Sequence, residues 1–539
     1  PACDSGTTST EPISKPRGEI QAFLEGGFRA LKIGDREAAA EICRQALERD
    51  PHMARAHYLA ALLALDRGNH AVAQKALRHT VKLNERHAPA WSRLALSYVS
   101  SGEFAKAESC LQNAVRTQQG NPEVLDTIGT TFRLAGNLQA ARTWHEKAAA
   151  GAPAHVPFLI NLANIHLYFG EQDAADELLS RCLEIEPGNA QLHWLLSRTS
   201  TAKNVWHIEA MQDLVATQRE PRALAYLQYA IGKEAEDLED WALAFDAFAA
   251  GASARRQTVA YNEAEEIELY ETAAESFTRK WLATREAGLA DAAPIFIVGE
   301  PRTGTTLLER MLGAHSRVNS AGELKHLGFA VRRVSGHHEQ RQFAAGLLRA
   351  AASANSFDIG TAYFDSTASL RGDAAHLIDK LPLNYLYLPL IIAALPKARI
   401  LHLTRDPMDA CFAQFKQLFA DAYLFSYDQQ ELARHHVRYL ELMSLWRERF
   451  GERFLDVAYE DLVTDTEDTL RGVLEHVGLS WQPQCLDFTA SGEAVTTASA
   501  AQVREKPHAR SVGRWRRYAR RLQPMRDVLS AHGIRVSEP

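Results

Sequence analysis

The sequence predicts two folds in succession, an α-helical repeat solenoid followed by an α/β domain with a central parallel β-sheet. Glycines recur at a constant interval through the first part of the chain, as they do in stacked helical hairpins. After about residue 290, strand-like apolar runs alternate with helical stretches. The first of these runs leads into a glycine-bounded turn and a helix start, which is the layout of a phosphate-binding loop.

Length, charge and cysteine content limit the class of protein. The chain has 539 residues, enough for two or three domains that each bury a core. Its formal net charge of -7 gives no reason to expect nucleic acid or a membrane surface as a partner. The six cysteines lie far apart and form no metal-ligand cluster, which predicts a reducing compartment and no metal. Since no signal peptide or bilayer-spanning run is visible, we expect a cytoplasmic protein.

Composition and periodicity divide the chain into four predicted segments. Residues 1–17 are rich in Ser, Thr, Pro and Gly, which predicts a disordered tail. Residues 18–200 are assigned to about five helical repeats. Residues 201–287 are assigned to degenerate closing helices and a joint of small residues, and residues 288–539 to the α/β domain.

Glycines and small residues keep one phase through the repeats. The glycines are Gly34, Gly68, Gly102, Gly136 and Gly170, each 34 residues after the last. Five positions after each glycine stand Ala39, Ala73, Ala107, Ala141 and Ala175. This phase resembles that of tetratricopeptide (TPR) proteins, whose repeats stack into a solenoid with a groove. The resemblance implies a peptide or protein partner in the groove, and a brace for the next domain or a homodimer contact are left open.

The second domain is expected to contain a parallel sheet. Its candidate strands are Ile295–Val298, His376–Asp379, Ile400–Thr404 and Phe454–Tyr459, with helical stretches between them. Alternation of strands and helices predicts a ligand site at the carboxyl ends of the strands.

The loop after the first strand has the spacing of a nucleotide P-loop but lacks its lysine. Gly299 and Gly304 frame the loop, and Thr305 stands where a P-loop kinase has the lysine that binds the β and γ phosphates. This difference argues against ATP or GTP hydrolysis. Arg302 supplies a positive charge inside the loop instead. The pattern fits a nucleotide with one phosphate at its 5′ end that carries a small transferable anion, as activated sulfate does.

Five ordered motifs carry a family resemblance. They are Pro301-Arg302-Thr303-Gly304-Thr305-Thr306, Ala321-Gly322-Glu323, Asp379-Lys380, Thr404-Arg405-Asp406-Pro407, and Gln502-Val503-Arg504 with Ser511-Val512-Gly513-Arg514-Trp515. Together they resemble PAPS-dependent sulfotransferases, most of all the protein-tyrosine branch with its TPR-fused bacterial chains. The resemblance implies transfer of a sulfuryl group from 3′-phosphoadenosine 5′-phosphosulfate (PAPS) to a hydroxyl, with PAP as product and no metal.

The resemblance implies catalytic roles for three residues. Glu323 matches the glutamate that takes the proton of the acceptor hydroxyl. His326 competes for that role, because other sulfotransferases use a histidine. Lys380 and Arg302 would stabilise the negative charge on the bridging oxygen that leaves with the nucleotide.

The resemblance also implies a set of nucleotide-binding residues. They are Pro301, Arg302, Thr303, Gly304, Thr305, Thr306, Arg405, Tyr459, Ser511 and Arg514. Arg405 would grip the 3′-phosphate, and Gln502–Arg510 would form a lid. The family serine eight residues after this arginine is Ala413 here, so Gln414 or a hydroxyl elsewhere would have to replace its contact.

The acceptor is left open by the sequence. A tyrosine of a peptide or protein, presented by the TPR groove, is favoured by the repeats and by the tyrosine-sulfotransferase resemblance. A carbohydrate or small-molecule hydroxyl is the alternative. In a different class of function, the chain is a TPR interaction scaffold with an inactive sulfotransferase-like domain, as Ala413 suggests.

Overall fold

The computed structural model describes residues 17–337, 341–488, 494–495 and 504–538, so the predicted tail lies outside the described residues up to residue 16. Contacts divide the chain into two compact units, Pro1–Gly151 and Ala152–Pro539. The described part of the first unit is helical, and the second unit combines helices with one β-sheet. The predicted order, a helical solenoid and then a domain with a parallel sheet, is confirmed.

The first unit consists of helices that pack in successive pairs. They are α1 (Arg17–Lys32), α2 (Arg36–Arg49), α3 (Ala54–Asp66), α4 (His70–Leu83), α5 (Ala88–Ser100), α6 (Phe104–Thr117), α7 (Pro122–Leu134) and α8 (Leu138–Gly151). The repeat glycines Gly34, Gly68, Gly102 and Gly136 lie between the two helices of a pair, with φ between 70° and 85°. Glycine adopts this left-handed conformation without steric cost, which explains the 34-residue phase.

A small residue is buried near the start of the second helix of each pair. Ala39, Ala73, Ala107 and Ala141 are at most 2% exposed. A methyl group at these positions lets the two backbones approach closely, whereas a larger side chain would have to displace the partner helix. Each pair of the first unit therefore has a buried alanine in the first turn of its second helix.

The second unit begins with helices that continue the repeat pattern and then depart from it. They are α9 (Val156–Phe169), α10 (Gln172–Ile185), α11 (Ala190–Leu196), α12 (Trp206–Thr217), α13 (Pro221–Asp237), α14 (Trp241–Arg256), α15 (Glu263–Ser276) and α16 (Arg279–Ala283). Helices α13 and α14 pack against each other as a hairpin. Their apolar side chains, such as Leu227 and Phe248, share one core with Met408 and Phe412 of the α/β part. These helices and the α/β part therefore stabilise each other.

The α/β part follows from residue 295. Its strands are β1 (Ile295–Gly299), β2 (Val318–Ser320), β3 (His376–Asp379), β4 (Arg399–Thr404) and β5 (Phe454–Ala458). Its α-helices are α17 (Thr305–Gly313), α18 (His326–Ser335), α19 (Ala345–Ser353), α20 (Ser356–Ser366), α21 (Ala368–Arg371), α22 (Leu388–Ala394), α23 (Pro407–Phe415), α24 (Gln429–Phe450), α25 (Tyr459–Thr464), α26 (Thr466–Val477) and α27 (Gln523–Ala531). Short 3-10 helices cover Pro382–Tyr387, Leu424–Tyr427, Gly451–Arg453, Pro483–Cys485, Ala509–Ser511 and Arg514–Tyr518.

The five strands form one parallel sheet in the order β2-β3-β1-β4-β5. The chain runs from β1 to one side of the sheet and then crosses to β4 on the other side. Such a reversal opens a crevice at the carboxyl ends of the strands, where ligands bind in open α/β sheets. In register, Gly299 pairs with Leu403, and Thr404 pairs with Ala458. The segments after β1, β4 and β5 therefore leave the sheet side by side.

Candidate active site

The loop between β1 and α17 needs both of its glycines. Gly299 has φ 143°, and a Cβ there would lie 2.6 Å from the carbonyl oxygen of Leu403. Gly304 has φ 97°, and a Cβ there would lie 2.6 Å from Cδ2 of Tyr459. Because both side-chain positions are blocked, the backbone turns tightly and its N–H groups lead into the N-terminus of α17. This is the geometry of an anion-binding loop.

The other predicted loop residues lie in the same turn. Pro301, Thr303, Thr305 and Thr306 are buried. Thr303 Oγ1 donates to the carbonyl oxygen of Glu300 at 2.7 Å, which closes the turn. Thr305 and Thr306 begin α17, so their backbone N–H groups belong to the helix N-terminus.

Arg302 has a left-handed backbone, with φ 69°. Such a conformation costs about 1–3 kcal/mol for a residue other than glycine and persists only where its surroundings hold it. Arg405 provides this support, since its Nη1 donates to the carbonyl oxygen of Arg302 at 2.7 Å. The pKa of Arg302 is lowered to about 10, first by burial and then by the positive charge of Arg405. The loop thus presents a cation in a setting that favours an added anion.

A buried charge network holds the start of the loop from below. Glu300 is fully buried, and its Oε2 accepts from Gln414 Nε2 and from His436 Nδ1, each at 2.8 Å. Burial raises the pKa of Glu300, but His436 and His435 outweigh it and the net shift is downward. Burial lowers the pKa of His436, but the Cys411 thiol and the Glu300 carboxylate raise it well above its usual value. The loop is therefore tied to α23 and α24 by a charged pair.

Lys380 and Glu323 meet at the carboxyl end of β3. Lys380 is fully buried, and its Nζ donates to Glu323 Oε1 at 2.7 Å. The Lys380 N–H also donates to the carbonyl oxygen of Gly322 at 2.9 Å, which fixes the two segments side by side. The Glu323 side chain is 39% exposed. Glu323 is therefore open to a ligand, while Lys380 is held in place behind Glu323.

Glu309 completes a three-residue cluster around Lys380. It lies on α17, with Oε2 3.6 Å from Lys380 Nζ and Oε1 accepting from Ser320 Oγ at 2.6 Å. Burial raises the pKa of Glu309. Burial lowers the pKa of Lys380, but the charges of Glu323 and Glu309 raise it by more. The net shift is upward, so the ammonium stays charged. Sequence reasoning missed Glu309, although its place one turn into the helix after the loop was a usable signal.

His326 lies in a different environment from Glu323. It begins α18, is only 5% exposed, and burial lowers its pKa to about 4. A neutral imidazole held away from water is poorly placed to keep a proton taken from an acceptor.

Arg405, which follows β4, contacts Tyr459 after β5 and a third segment at Ser511. Its Nη2 donates to the carbonyl oxygen of Ser511 at 2.6 Å, and its guanidinium carbon lies 4.6 Å from the ring centre of Tyr459. The Nε atom of Arg405 is buried and has no hydrogen-bond partner among the described residues. A buried donor of this kind is costly unless a ligand accepts from it. The site therefore suits an anion beside Arg302 and Arg405.

Arg514 pairs with Glu236 of α13. Its Nη2 lies 3.1 Å from Glu236 Oε2, and Lys416 Nζ lies 2.6 Å from the same oxygen. The Tyr518 hydroxyl donates to Glu236 Oε1 at 3.0 Å. Sequence reasoning missed Glu236 and Lys416, because these residues lie 180 positions apart and only the fold brings them together.

Ala413 and Gln414 both lie on α23. Ala413 is buried and brings no hydroxyl, as the sequence requires. Gln414 is fully buried and its amide nitrogen is committed to Glu300.

Two further features concern metals and membranes. Within the described ranges, no group of three or more His, Cys, Asp or Glu is arranged to hold a metal ion. No described helix is both long enough and apolar enough to cross a bilayer.

Comparisons with known proteins find matches in both the repeat helices and the α/β part. The model of the sulfotransferase family matches residues 294–483, and two tetratricopeptide repeat models match residues 64–128 and 156–189. An uncharacterized protein of Aquifex aeolicus (strain VF5) is 27% identical over 419 residues, which is 75% of this chain and 54% of that protein. The chain thus spans about half the length of this relative.

Solved structures similar to the chain include two TPR proteins and the pilF protein. A thermophilic TPR protein of Thermus thermophilus is 21% identical and covers 36% of this chain and 99% of its own, with a TM-score of 0.29. The pilF protein of Pseudomonas aeruginosa is 20% identical, and the match covers 43% of this chain and 98% of pilF, with a TM-score of 0.32. YrrB, a TPR protein with an unusual peptide-binding site, is 16% identical. The match covers 38% of this chain and 96% of YrrB, with a TM-score of 0.27. From the family matches, the chain carries tetratricopeptide repeats and a domain of the sulfotransferase family.

Proposed function

We propose that this protein transfers a sulfuryl group from PAPS to an acceptor hydroxyl. The observation that carries the proposal is the contact between Lys380 Nζ and Glu323 Oε1 at 2.7 Å, on the strand next to the anion-binding loop. A base and a buried cation then flank the position where a sulfuryl group held by the loop would react. The family match over residues 294–483 supports the same reaction class.

Glu323 acts as the general base in this proposal. Its half-open carboxylate accepts the proton of the acceptor hydroxyl while the acceptor oxygen forms a bond to sulfur. The bond between sulfur and the bridging oxygen breaks in the same step, and PAP leaves with the electron pair. Protonation of Glu323 weakens its hold on Lys380, so one N–H of the ammonium becomes available as charge develops on the leaving oxygen.

Lys380 and Arg302 stabilise that charge. Lys380 is fully buried and anchored by two carboxylates, so little reorganisation is needed when the charge appears. Arg302 acts from inside the loop, where burial strengthens its electrostatic effect. Removing one hydrogen-bond donor aimed at a developing negative charge typically costs about 2.7–4 kcal/mol of transition-state stabilisation.

The nucleotide is assigned to the loop and to the segments that follow β4 and β5. Pro301, Thr303, Gly304, Thr305 and Thr306 surround the 5′-phosphosulfate with backbone N–H groups, and no metal is required. Arg405 has a buried Nε without a partner among the described residues, which suits the 3′-phosphate. Tyr459, Ser511 and Arg514 complete the assignment, with Arg514 acting through its contact with Glu236.

A tyrosine of a peptide or protein is the favoured acceptor, presented by the TPR groove. The second unit offers a cavity of about 210 Å³ between repeat helices and the loop after α23, lined by Asn164, Trp194, Tyr226 and Phe419 among others. The Phe419 ring lies 4.7 Å from that of Tyr423, whose pKa is raised first by burial and then by Glu323. Phe419, which lines the cavity, therefore packs on a tyrosine whose ionisation the charge of Glu323 disfavours.

Removal of residues 1–151 tests the part played by the first unit. A cut after residue 151 leaves helices α13 to α15 in place, which share cores with the α/β part. We expect kcat/KM to fall for a tyrosine-containing peptide and to stay unchanged for a small phenol. An equal rate on the peptide with and without residues 1–151 would remove the first unit from acceptor binding.

Two alternatives have their own signatures. For a carbohydrate or small-molecule acceptor, product analysis by mass spectrometry would show sulfate on those compounds and none on peptides. An inactive scaffold is favoured by Ala413 alone, and calorimetry with PAP separates it from an enzyme. A chain without affinity for PAP would support the scaffold.

A further inference from the structure

Two histidines of the second unit form a hydrogen-bonded chain that joins three helices. His193 lies on α11, His207 lies in the first turn of α12, and Glu234 lies on α13. His193 Nε2 is 2.9 Å from the carbonyl oxygen of Pro187, and His193 Nδ1 is 2.9 Å from His207 Nε2. His207 Nδ1 is 2.7 Å from Glu234 Oε1. These residues take no part in the candidate active site.

The chain needs one proton more than two neutral histidines and a carboxylate supply. The carbonyl oxygen of Pro187 can only accept, so His193 Nε2 donates to it. The Glu234 carboxylate likewise accepts from His207 Nδ1. A neutral imidazole has a single N–H, so the two nitrogens in the middle, 2.9 Å apart, would then face each other with lone pairs. One added proton turns this contact into a hydrogen bond, and the count is the same if that proton sits on Glu234.

Burial decides where the added proton is held. His193 is buried, and burial lowers its pKa, so its ring is the neutral member of the pair. The His207 side chain is 26% exposed and contacts Glu234, so the positive charge lies there and can exchange its proton with water. The Glu234 side chain is 7% exposed, and its Oε2 has no hydrogen-bond partner among the described residues. Loss of the proton would leave a buried carboxylate without its counter-charge.

The other charged groups on the surrounding helices do not replace Glu234. Within the part of the chain that the structure describes, they have partners of their own or face solvent. They are Lys233 and Asp237, which bind each other at 2.7 Å, Glu236, which binds Lys416, Asp176, which accepts from Thr199, Glu186, which accepts from Asn189, Arg198, which lies over the Trp194 ring, and Glu209 and Asp213, which are exposed.

Helix α12 has few apolar contacts to hold it. Its buried residues are Ile208 and Met211, whereas Trp206 is exposed. The hydrogen bonds of His207 therefore provide a large share of the attachment of this helix.

Helix α11 also forms part of the cavity of about 210 Å³. Trp194, which follows His193, lines this cavity, and its ring centre lies 5.4 Å from that of Tyr226 on α13. Glu234 lies about two turns beyond Tyr226 on the same helix. The hydrogen-bonded chain thus ties α11 to α13 close to one wall of the cavity.

We propose that His193, His207 and Glu234 form a pH-dependent lock that holds helices α11 and α12 on α13. The lock is closed while the pair carries its added proton, and it opens as the pH rises and the proton is lost. Histidine is the side chain whose charge ordinarily changes between about pH 5 and 8, so the lock responds in that range. The wall of the cavity at Trp194 is therefore held in place at the acid end of the range and released at the alkaline end. The lock goes beyond the proposed function and does not depend on what the cavity binds.

Hydrogen exchange on the full chain, with mass spectrometry of peptides from residues 190–217, tests the lock. The rates are corrected for the intrinsic dependence of amide exchange on pH. We expect the wild type to lose protection by about tenfold between about pH 6 and about pH 8.5, since a hydrogen bond to a charged group is lost. The loss should be confined to α11 and α12, with α24 of the same unit as the internal reference.

Three variants separate the lock from ordinary packing. In His207→Gln, protection of α11 and α12 at about pH 6 should be about tenfold below the wild type and should change little with pH. Glu234→Gln keeps an acceptor for His207 but removes the counter-charge, so it should behave in the same way. His532→Gln, at an exposed histidine of the same unit, is the matched control and should keep the wild-type pH dependence.

The pH series of the wild type decides the outcome even if a variant fails to fold. Equal protection of α11 and α12 at both pH values overturns the inference, and so does a loss spread equally over α24. A pH dependence that persists unchanged in His207→Gln also overturns it. Because the measurement uses no nucleotide or acceptor, its result is separate from the test of the proposed function.

Discussion

Replacing Lys380 by Met separates a catalytic role from a structural one. The change removes a fully buried ammonium that lies 2.7 Å from Glu323 and 3.6 Å from Glu309. Met keeps a similar length and fits an apolar setting, so the loss of charge is the main perturbation. Both stability and catalysis are expected to suffer, for different reasons.

The loss of stability follows mainly from Glu309. Its side chain is 8% exposed, and a buried charge left without its partner costs about 3–5 kcal/mol. The pKa of Glu309 is already raised by burial, so the carboxyl can take up a proton and limit this cost. Glu323 is 39% exposed, and its lost contact adds about 1 kcal/mol or less. We therefore expect the free energy of unfolding to fall by about 2–4 kcal/mol.

The double variant Lys380→Met with Glu309→Gln isolates the catalytic effect. Neutralising Glu309 removes the unpaired charge, so urea denaturation should show most of the lost stability restored. The rate of PAP formation in the presence of an acceptor should stay about 10²–10³-fold below the wild type, since the transition state still lacks its cation. Lys397→Met, at an exposed position, is the control. A double variant that regains the wild-type rate together with its stability would show that Lys380 is structural only.

Other predictions concern the loop and its supports. Gly304→Ala should cost about 1–3 kcal/mol in urea denaturation, because φ is 97° and the new Cβ would lie 2.6 Å from Tyr459 Cδ2; unchanged stability would contradict the loop geometry. Arg405→Ala should raise the Kd for PAP in calorimetry by about 10²-fold, and 5′-AMP should lose less; equal losses would argue against a 3′-phosphate contact. The raised pKa of His436 adds stability that is fully present below about pH 6.5 and is lost as pH rises through the folded-state pKa. His436→Gln should therefore cost most in acid, and an equal loss at all pH values would refute the charged pair with Glu300.

The features that the sequence predicted are local in the chain. The repeat glycines turn each hairpin within a few residues, and their left-handed φ values explain why the phase is visible without a structure. The anion-binding loop is equally local, because Gly299 and Gly304 lie five residues apart. Asp379-Lys380 could be placed at a strand end for the same reason, since the apolar run before it predicts β3.

The features that were missed depend on contacts between distant segments. His436 lies 136 residues from Glu300, and Arg514 lies 278 residues from Glu236, so only the fold brings these charges together. Strand β2 has three residues, too few for an alternating pattern to show. Tyr459 was predicted to end a strand but begins α25, because β5 pairs with β4 only as far as Ala458. Burial of polar groups is likewise invisible until the elements are packed.

The central claim is that Glu323 takes a proton while sulfate passes from PAPS to a hydroxyl. Mass spectrometry of a tyrosine-containing peptide and of a small phenol, incubated with PAPS, measures this directly. The wild type should add one sulfate to an acceptor, and Glu323→Gln, which keeps the size of the side chain, should bind PAP normally and add almost none. Full turnover by Glu323→Gln would contradict the account.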